Sequence, residues 1–182
     1  MPPYLAIPHY HLSKLPVTTK VALTGFTLSL TAAILFVGLG VFAERTGYET
    51  RRVQANFAGD ERVTKETGHK FPADQMGTAH SRRSIYDIIH PHSFMMPLIY
   101  FVLCHMMEMS YAARAVKVGV YSVSCVAMLV VIFAPLLVWT KIALAPVVVP
   151  GVVVMLALFL VMALLPTWQM WRGVNDPASQ KH

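Results

Sequence analysis

The run VALTGFTLSLTAAILFVGLGVFA, residues 21–43, holds 23 consecutive residues without a charge. At 1.5 Å of rise per residue, a helix of that length crosses a hydrocarbon layer about 30 Å thick. A cleavable signal peptide would have an apolar core of roughly 7 to 15 residues ahead of a small-residue cleavage site. This run is longer and follows a segment carrying Pro2, Pro3, Pro8 and Pro16, so it is expected to be retained.

Three further runs of the same kind follow, at about 91–112, 118–139 and 147–166. With 55% hydrophobic and 13% charged residues among 182, the chain is too apolar for a soluble domain. Lipid offers no hydrogen bonds to the backbone, so four such runs mean four helices rather than a sheet. The expected fold is an all-α integral membrane protein: one domain over 1–182, a four-helix bundle with a long polar loop, 44–87, between helices one and two. Trp139 closes the third run while Trp168 and Trp171 follow the fourth, which puts aromatic residues at opposite membrane faces. Gly25, Ser29, Ala32 or Ala33, and Gly40 form a small-residue face suited to close helix packing.

The loop 44–87 scatters Val53, Phe57, Val63, Phe71 and Met76 among eight basic and seven acidic side chains. Alone it is expected to be mobile or only partly helical, either a solvated connection or a segment that gains order on docking to a partner subunit. With four crossings, Lys14, Lys20, Arg114, Lys117, Arg172 and Lys181 share a side with the termini. A count of basic residues favours a cytoplasmic loop. The short turn carrying Arg114 and Lys117, set against a loop whose basic residues are interleaved with acids, favours cytoplasmic termini, the orientation adopted here.

Several function classes drop out. Cys104 and Cys125 stand alone, without the C-x-x-C-H of c-type haem or a C-x-x-C pair. The Gly-rich phosphate loop, H-E-x-x-H and G-x-S-x-G are missing as well. The net charge of +6 reads as membrane flanks rather than nucleic-acid binding, because no basic stripe is interleaved with aromatics.

Chemistry concentrates in HPHSFMMPLIYFVLCHMMEM, residues 90–109, where an apolar helix carries His90, His92, His105 and Glu108. Pro91 suits a first helical position and Pro97 a kink. At about 100° per residue, Phe94, Phe101, His105, Glu108 and Ala112 share one face, and His92, Met96, Ile99, Met106 and Ser110 fall largely on the other. A carboxylate deep in lipid costs about 2.5–3.5 kcal/mol, so Glu108 is expected to face the bundle interior and pair with His105 or with another subunit. Imidazole is a usual ligand of membrane haem, which makes His105 and His92 the candidate cofactor and metal ligands, with Glu108 tuning the cofactor site and His90 in reserve. His92 and His105 lie about 20 Å apart along the helix and cannot share one haem. Helices one, three and four contain no histidine, leaving Met128, Met155 and Met162, or His69 and His80 at the His92 end, as second ligands. Adjacent His and Met also suit copper, but eleven methionines in an apolar chain read first as gap-filling core residues.

The pattern H-x-H-x-F-x-M-P, His90 to Pro97, followed by the deeper His105, resembles small four-helix proteins of bacterial energy-converting membranes and, more loosely, membrane cytochrome b subunits. It departs from the latter in lacking paired histidines on a second helix. The resemblance implies a subunit of a respiratory or photosynthetic electron-transfer complex in the bacterial inner membrane. Such a subunit would hold haem b or quinone near helix two and meet redox subunits through loop 44–87. Two other classes fit the same residues: a structural or assembly subunit without cofactor, and a metal or proton transporter component using His105 and Glu108 as a relay.

Overall fold

The computed structural model describes residues 12–71 and 78–172. Within them the chain is an all-α membrane protein with four spans, Val17–Thr46, Arg82–Glu108, Arg114–Thr140 and Ile142–Arg172. Met76 and Lys181 lie outside the described residues.

The first span is α1 (Val17–Leu35), a π-helical stretch Phe36–Phe42 and a short α2 (Ala43–Thr46) that ends at Gly47, φ 56°. It runs several residues beyond the uncharged stretch at each end. The expected small-residue face does not make its contact: Gly25, Ser29, Ala32 and Ala33 are exposed, and Gly25 has open space where a Cβ would lie. Thr27, Ile34 and Gly38 are buried instead, and a Cβ on Gly38 would sit 2.5 Å from Leu156 Cδ1. One glycine at the point of contact decides the packing face, whereas the others meet lipid.

The segment 44–87 is not an unstructured loop. It closes the first span, builds α3 (Thr50–Ala58) and α4 (Asp60–Thr67), and contributes the first turns of α5 (Arg82–Glu108). Both short helices are amphipathic, and Val53 and Val63 are fully buried, which contributes about 1.5–3 kcal/mol each as an upper estimate. Val53 packs with Ala134, Val138, Val148 and Val152, so α3 lies on the ends of helices three and four. Polar bonds pin it there. Gln54 Nε2 donates to the Ile142 carbonyl at 3.2 Å, and Arg62 donates to the carbonyls of Trp139 at 2.6 Å and Thr140 at 3.3 Å. Those carbonyls close a helix whose C-terminus carries partial negative charge, where a guanidinium is favourable. Val53, Phe57, Val63 and Phe71 are thus enough for docking, although too few for an independent core.

α5 begins at Arg82 rather than Pro91, because Ser81 caps it, its hydroxyl accepting the Ser84 N–H at 3.1 Å. Pro91 and Pro97 both lie inside this helix, which ends at Glu108 and leaves Ala112 in the turn to α6 (Arg114–Thr140). A 3-10 segment, Ile142–Val147, leads into α7 (Val148–Arg172), and Trp168 and Trp171 lie within α7 rather than after it.

α7 is the central element, packing on α1, α5 and α6, while α5 also packs on α6. The core joins Leu103 and Met107 of α5, Met128 and Ile132 of α6, and Met155, Phe159 and Met162 of α7. α1 attaches mainly to α7, through a Thr167–Thr27 hydroxyl bond of 3.1 Å and a Trp171 Nε1 to Thr24 Oγ1 bond of 2.8 Å. A gap remains between the upper part of the first span and α5 and α6.

Candidate functional site: a cleft between the first span and helices α5 to α7

That gap is a cleft of about 360 Å3, within the range of about 300–1,000 Å3 found for small-molecule sites. Its walls are Val37, Gly38, Val41 and Phe42 of the π segment, Ile88, His92 and Met96 of α5, Val131 to Pro135 of α6 apart from Phe133, and Val148, Val152, Met155 and Leu156 of α7. Arg45, Thr46, Asn56, Phe57 and His80 close the end near α3. One end is therefore polar and the remainder aliphatic.

The π segment shapes one wall. π-helical turns occur mostly as local features at functional sites, and this one is braced from outside. Tyr48 donates its hydroxyl to the Gly38 carbonyl at 2.7 Å, and its ring meets Phe42 edge-on at 5.2 Å. To do so Tyr48 adopts φ 58°, a left-handed conformation that costs a non-glycine residue about 1–2 kcal/mol. Its N–H is taken by Thr46 Oγ1 at 3.2 Å, which fixes the turn.

Two histidines reach this cleft. His92 Nδ1 lies 2.6 Å from the Ile88 carbonyl. A carbonyl only accepts, so Nδ1 carries a proton, and in the neutral ring Nε2 keeps its lone pair. This is the arrangement by which a backbone carbonyl orients an imidazole for binding through its other nitrogen. His80 is anchored by Nδ1 to Ser84 Oγ at 3.0 Å and by its carbonyl, which accepts from Trp139 Nε1 at 3.0 Å. Its ring lies tilted against Phe57, centroids 6.3 Å apart. A second, polar pocket of about 280 Å3 shares Arg45, Asn56 and His80 with the cleft and adds Arg52 and Asp60. The cleft thus adjoins a polar cavity at its α3 end.

The other predicted residues are placed elsewhere. His105 and Glu108 are exposed on the outer face of α5 rather than turned into the bundle. His105 packs on Phe101 at 4.5 Å, and the Glu108 carboxylate accepts from Tyr121 Oη at 3.1 Å, so its partner is a tyrosine of α6 and not His105. Glu108 also ends α5, beside Lys117, whose ammonium donates to the Glu108 carbonyl at 2.5 Å. Ending the helix there puts the carboxylate at the interface, where the cost of burial in lipid is avoided. His90 is exposed on the same outer face, against Phe94 at 5.3 Å. His90, His92 and His105 are therefore not brought together, and among the described residues no three His, Cys, Asp or Glu side chains converge as metal ligands. Met128 and Met162 are core residues, and of the three thioethers considered only Met155 lines the cleft.

Arg45 and Asn56 were not singled out from sequence, because nothing in a polar segment distinguishes a cleft residue from a solvated one. His80 had a usable signal: S-x-x-S from Ser81 to Ser84 is a helix start, which sets His80 immediately before α5.

No curated protein and no solved structure matches the chain. A family model, Aq_1264_TM, described as a transmembrane helical domain, matches residues 47–178, from the turn before α3 to beyond the end of α7. That match takes in α3, α4, α5, α6 and α7, most of the chain, which therefore belongs to the Aq_1264_TM family of transmembrane helical domains.

Proposed function

We propose that this membrane protein is a small subunit of a bacterial electron-transfer complex and that its cleft holds a quinone against His92. The observation that carries this reading is that His92, whose Nε2 can accept from the hydroxyl of the reduced ring, and Arg45 and Asn56, which can donate to the carbonyl of the oxidised one, line one amphipathic cleft among the spans. A quinone has a polar ring that needs a few hydrogen bonds and a long apolar tail. The cleft has His80, Asn56 and Arg45 toward its α3 end, His92 on its α5 wall and largely aliphatic walls along the rest. A bound quinone would supply reversible two-electron, two-proton chemistry. The chain itself would bind the ring, orient it through His92 and shield the tail.

Haem b fits these residues less well. An axial pair would need a second ligand beside His92. His80 lies before α5 and is held by Ser84, and the thioethers at the cleft are Met96, on the same helix as His92, and Met155. The basic residues Lys14, Lys20, Arg114, Lys117 and Arg172 on the side of the short 109–113 turn, with Glu108 the one described acid there, support cytoplasmic termini. The outer faces of α3 and α4 then offer the contact surface for partner subunits on the opposite side.

The test is to purify the full chain in native-lipid discs, extract it with organic solvent and assay quinone, then titrate the quinone-depleted protein with a short-tailed ubiquinone analogue. One bound quinone, displaced by the analogue and weakened in His92→Ala, is expected. A haem absorption band lost in His92→Ala, or no quinone and no saturable binding, overturns the reading.

A further inference from the structure

The polar pocket beside the cleft gathers Arg45 of α2, Arg52 and Asn56 of α3, Asp60 of α4, and Thr78 and His80 ahead of α5. Two guanidiniums and an amide give it many more N–H donors than the Asp60 carboxylate, the Asn56 carbonyl and the Thr78 hydroxyl give acceptors. Among the described residues Arg45 and Asn56 make no hydrogen bond or ion pair. Arg52 pairs with Glu49 at 3.4 Å, but both are at the surface, where such a pair is worth little. The donors of Arg45 and Asn56 are thus left to water or to a ligand rich in acceptor oxygens.

The walls that carry these groups are fixed. Trp139 Nε1 donates to the His80 carbonyl at 3.0 Å, and Val53, next to Arg52, is fully buried. Charge and depth then narrow the ligand. With His80 neutral, two guanidiniums against one carboxylate leave a single positive charge on the described lining, the complement of a single negative one. Arg45 stands two residues after Ala43, which ends the uncharged run, in the last turn of the first span. Lipid headgroups lie just beyond the hydrocarbon layer, at that level. The planar fork of an arginine matches two phosphate oxygens at once.

We infer that the polar pocket binds a singly charged phosphate group, the diester of a lipid headgroup or the free monoanion. Arg45 holds two of its oxygens, the Asn56 amide donates to a third, and Arg52 adds positive charge. Asp60, buried on the opposite side of the charge balance, limits the site to one negative charge. Arg45, Asn56 and His80 also border the cleft, whereas Arg52 and Asp60 belong to the polar pocket alone, so the phosphate site does not rest on the quinone reading.

The test uses the full chain stripped of lipid in maltoside micelles, which contain no phosphorus. Native mass spectrometry counts added phosphatidylglycerol retained on the chain, and equilibrium dialysis measures uptake of inorganic phosphate. One saturable site is expected, weakened about ten-fold in Arg45→Gln and less in Arg45→Lys, which keeps the charge and loses the fork. Arg82→Gln, which removes an exposed cation at the start of α5 outside the pocket, and His92→Ala, in the cleft, should leave it unchanged. Lipid binding without phosphate uptake makes the source a headgroup, and phosphate uptake without lipid binding makes it the free ion; either supports the site. Binding of neither overturns it, as does binding that Arg82→Gln or His92→Ala weakens as much as Arg45→Gln does.

Discussion

The Tyr48 hydroxyl donates to the carbonyl of Gly38 across 2.7 Å, tying the turn after the first span to the middle of its π segment. This bond holds a cleft wall in shape and offsets the left-handed backbone of Tyr48. Tyr48→Phe keeps the ring contact with Phe42 and removes one hydrogen bond, so a loss of about 0.5–1.5 kcal/mol is expected. Affinity for the quinone analogue should fall with it. Stability measured by denaturant unfolding in mixed micelles, beside the titration, checks both; unchanged affinity would separate the brace from the cleft.

Gly38 lies where the π segment meets Leu156 of α7. An added methyl would meet the free end of Leu156, which also lines the cleft. Gly38→Ala should therefore be accommodated by rotation of Leu156, whereas Gly38→Val overpacks the contact and should cost about 1–3 kcal/mol. Analogue affinity should decline from wild type through alanine to valine, and the pair Gly38→Ala with Leu156→Ala should recover it.

Gly59 joins α3 to α4 with φ 81°, and a Cβ there would stand 2.7 Å from the Ala79 backbone nitrogen. Backbone cannot rotate away as a leucine terminus can. Gly59→Ala should thus be more disruptive to its neighbourhood than Gly38→Ala, with a strain of about 1–2 kcal/mol before the clash is counted. Faster hydrogen exchange confined to α3, α4 and the start of α5 would mark the effect.

Arg62 ties α4 to the end of α6 through the carbonyls of Trp139 and Thr140 and also bonds Glu66 at 2.8 Å. Its exposed pairing with Glu66 should matter little, and the carbonyl bonds more. Glu66→Gln is expected to be nearly silent, while Arg62→Ala loses about 1–2 kcal/mol and opens α3 and α4. In the isolated wild-type chain, amides of Val53 to Ala58 should already be protected from exchange, since Val53 is buried against α6 and α7.

Much of the fold was legible because charge exclusion over twenty or more residues has one structural meaning in lipid. The four spans and their order follow from it. Their ends do not. Ser81 extends α5 nine residues before Pro91, and the proline that looked like a helix start is an interior residue. The polar segment misled for a related reason. Val53 and Val63 are sparse by the standard of a soluble core, but they need only cover the ends of helices that already exist. At the candidate site, sequence set His92 and His105 on opposite faces of α5, and the structure has His92 lining the cleft and His105 on the outer face. His105 and His92 differ in which side of α5 faces α6 and α7, and Leu103, Met106 and Met107 set that rotation by filling the core. Helical periodicity separates the two faces without saying which one is inside.

The attachment of α1 also has a temporal side. Thr27 bonds Thr167, 140 residues later, and Thr24 bonds Trp171, 147 residues later. At a synthesis rate of about 5–20 residues per second, the first helix made waits on the order of 7–28 s for the last. During that interval Thr24 and Thr27 bond only the carbonyls of Lys20 and Leu23 in their own helix, and the cleft has only part of its wall. The cleft therefore acquires its fourth wall only once α7 has been made.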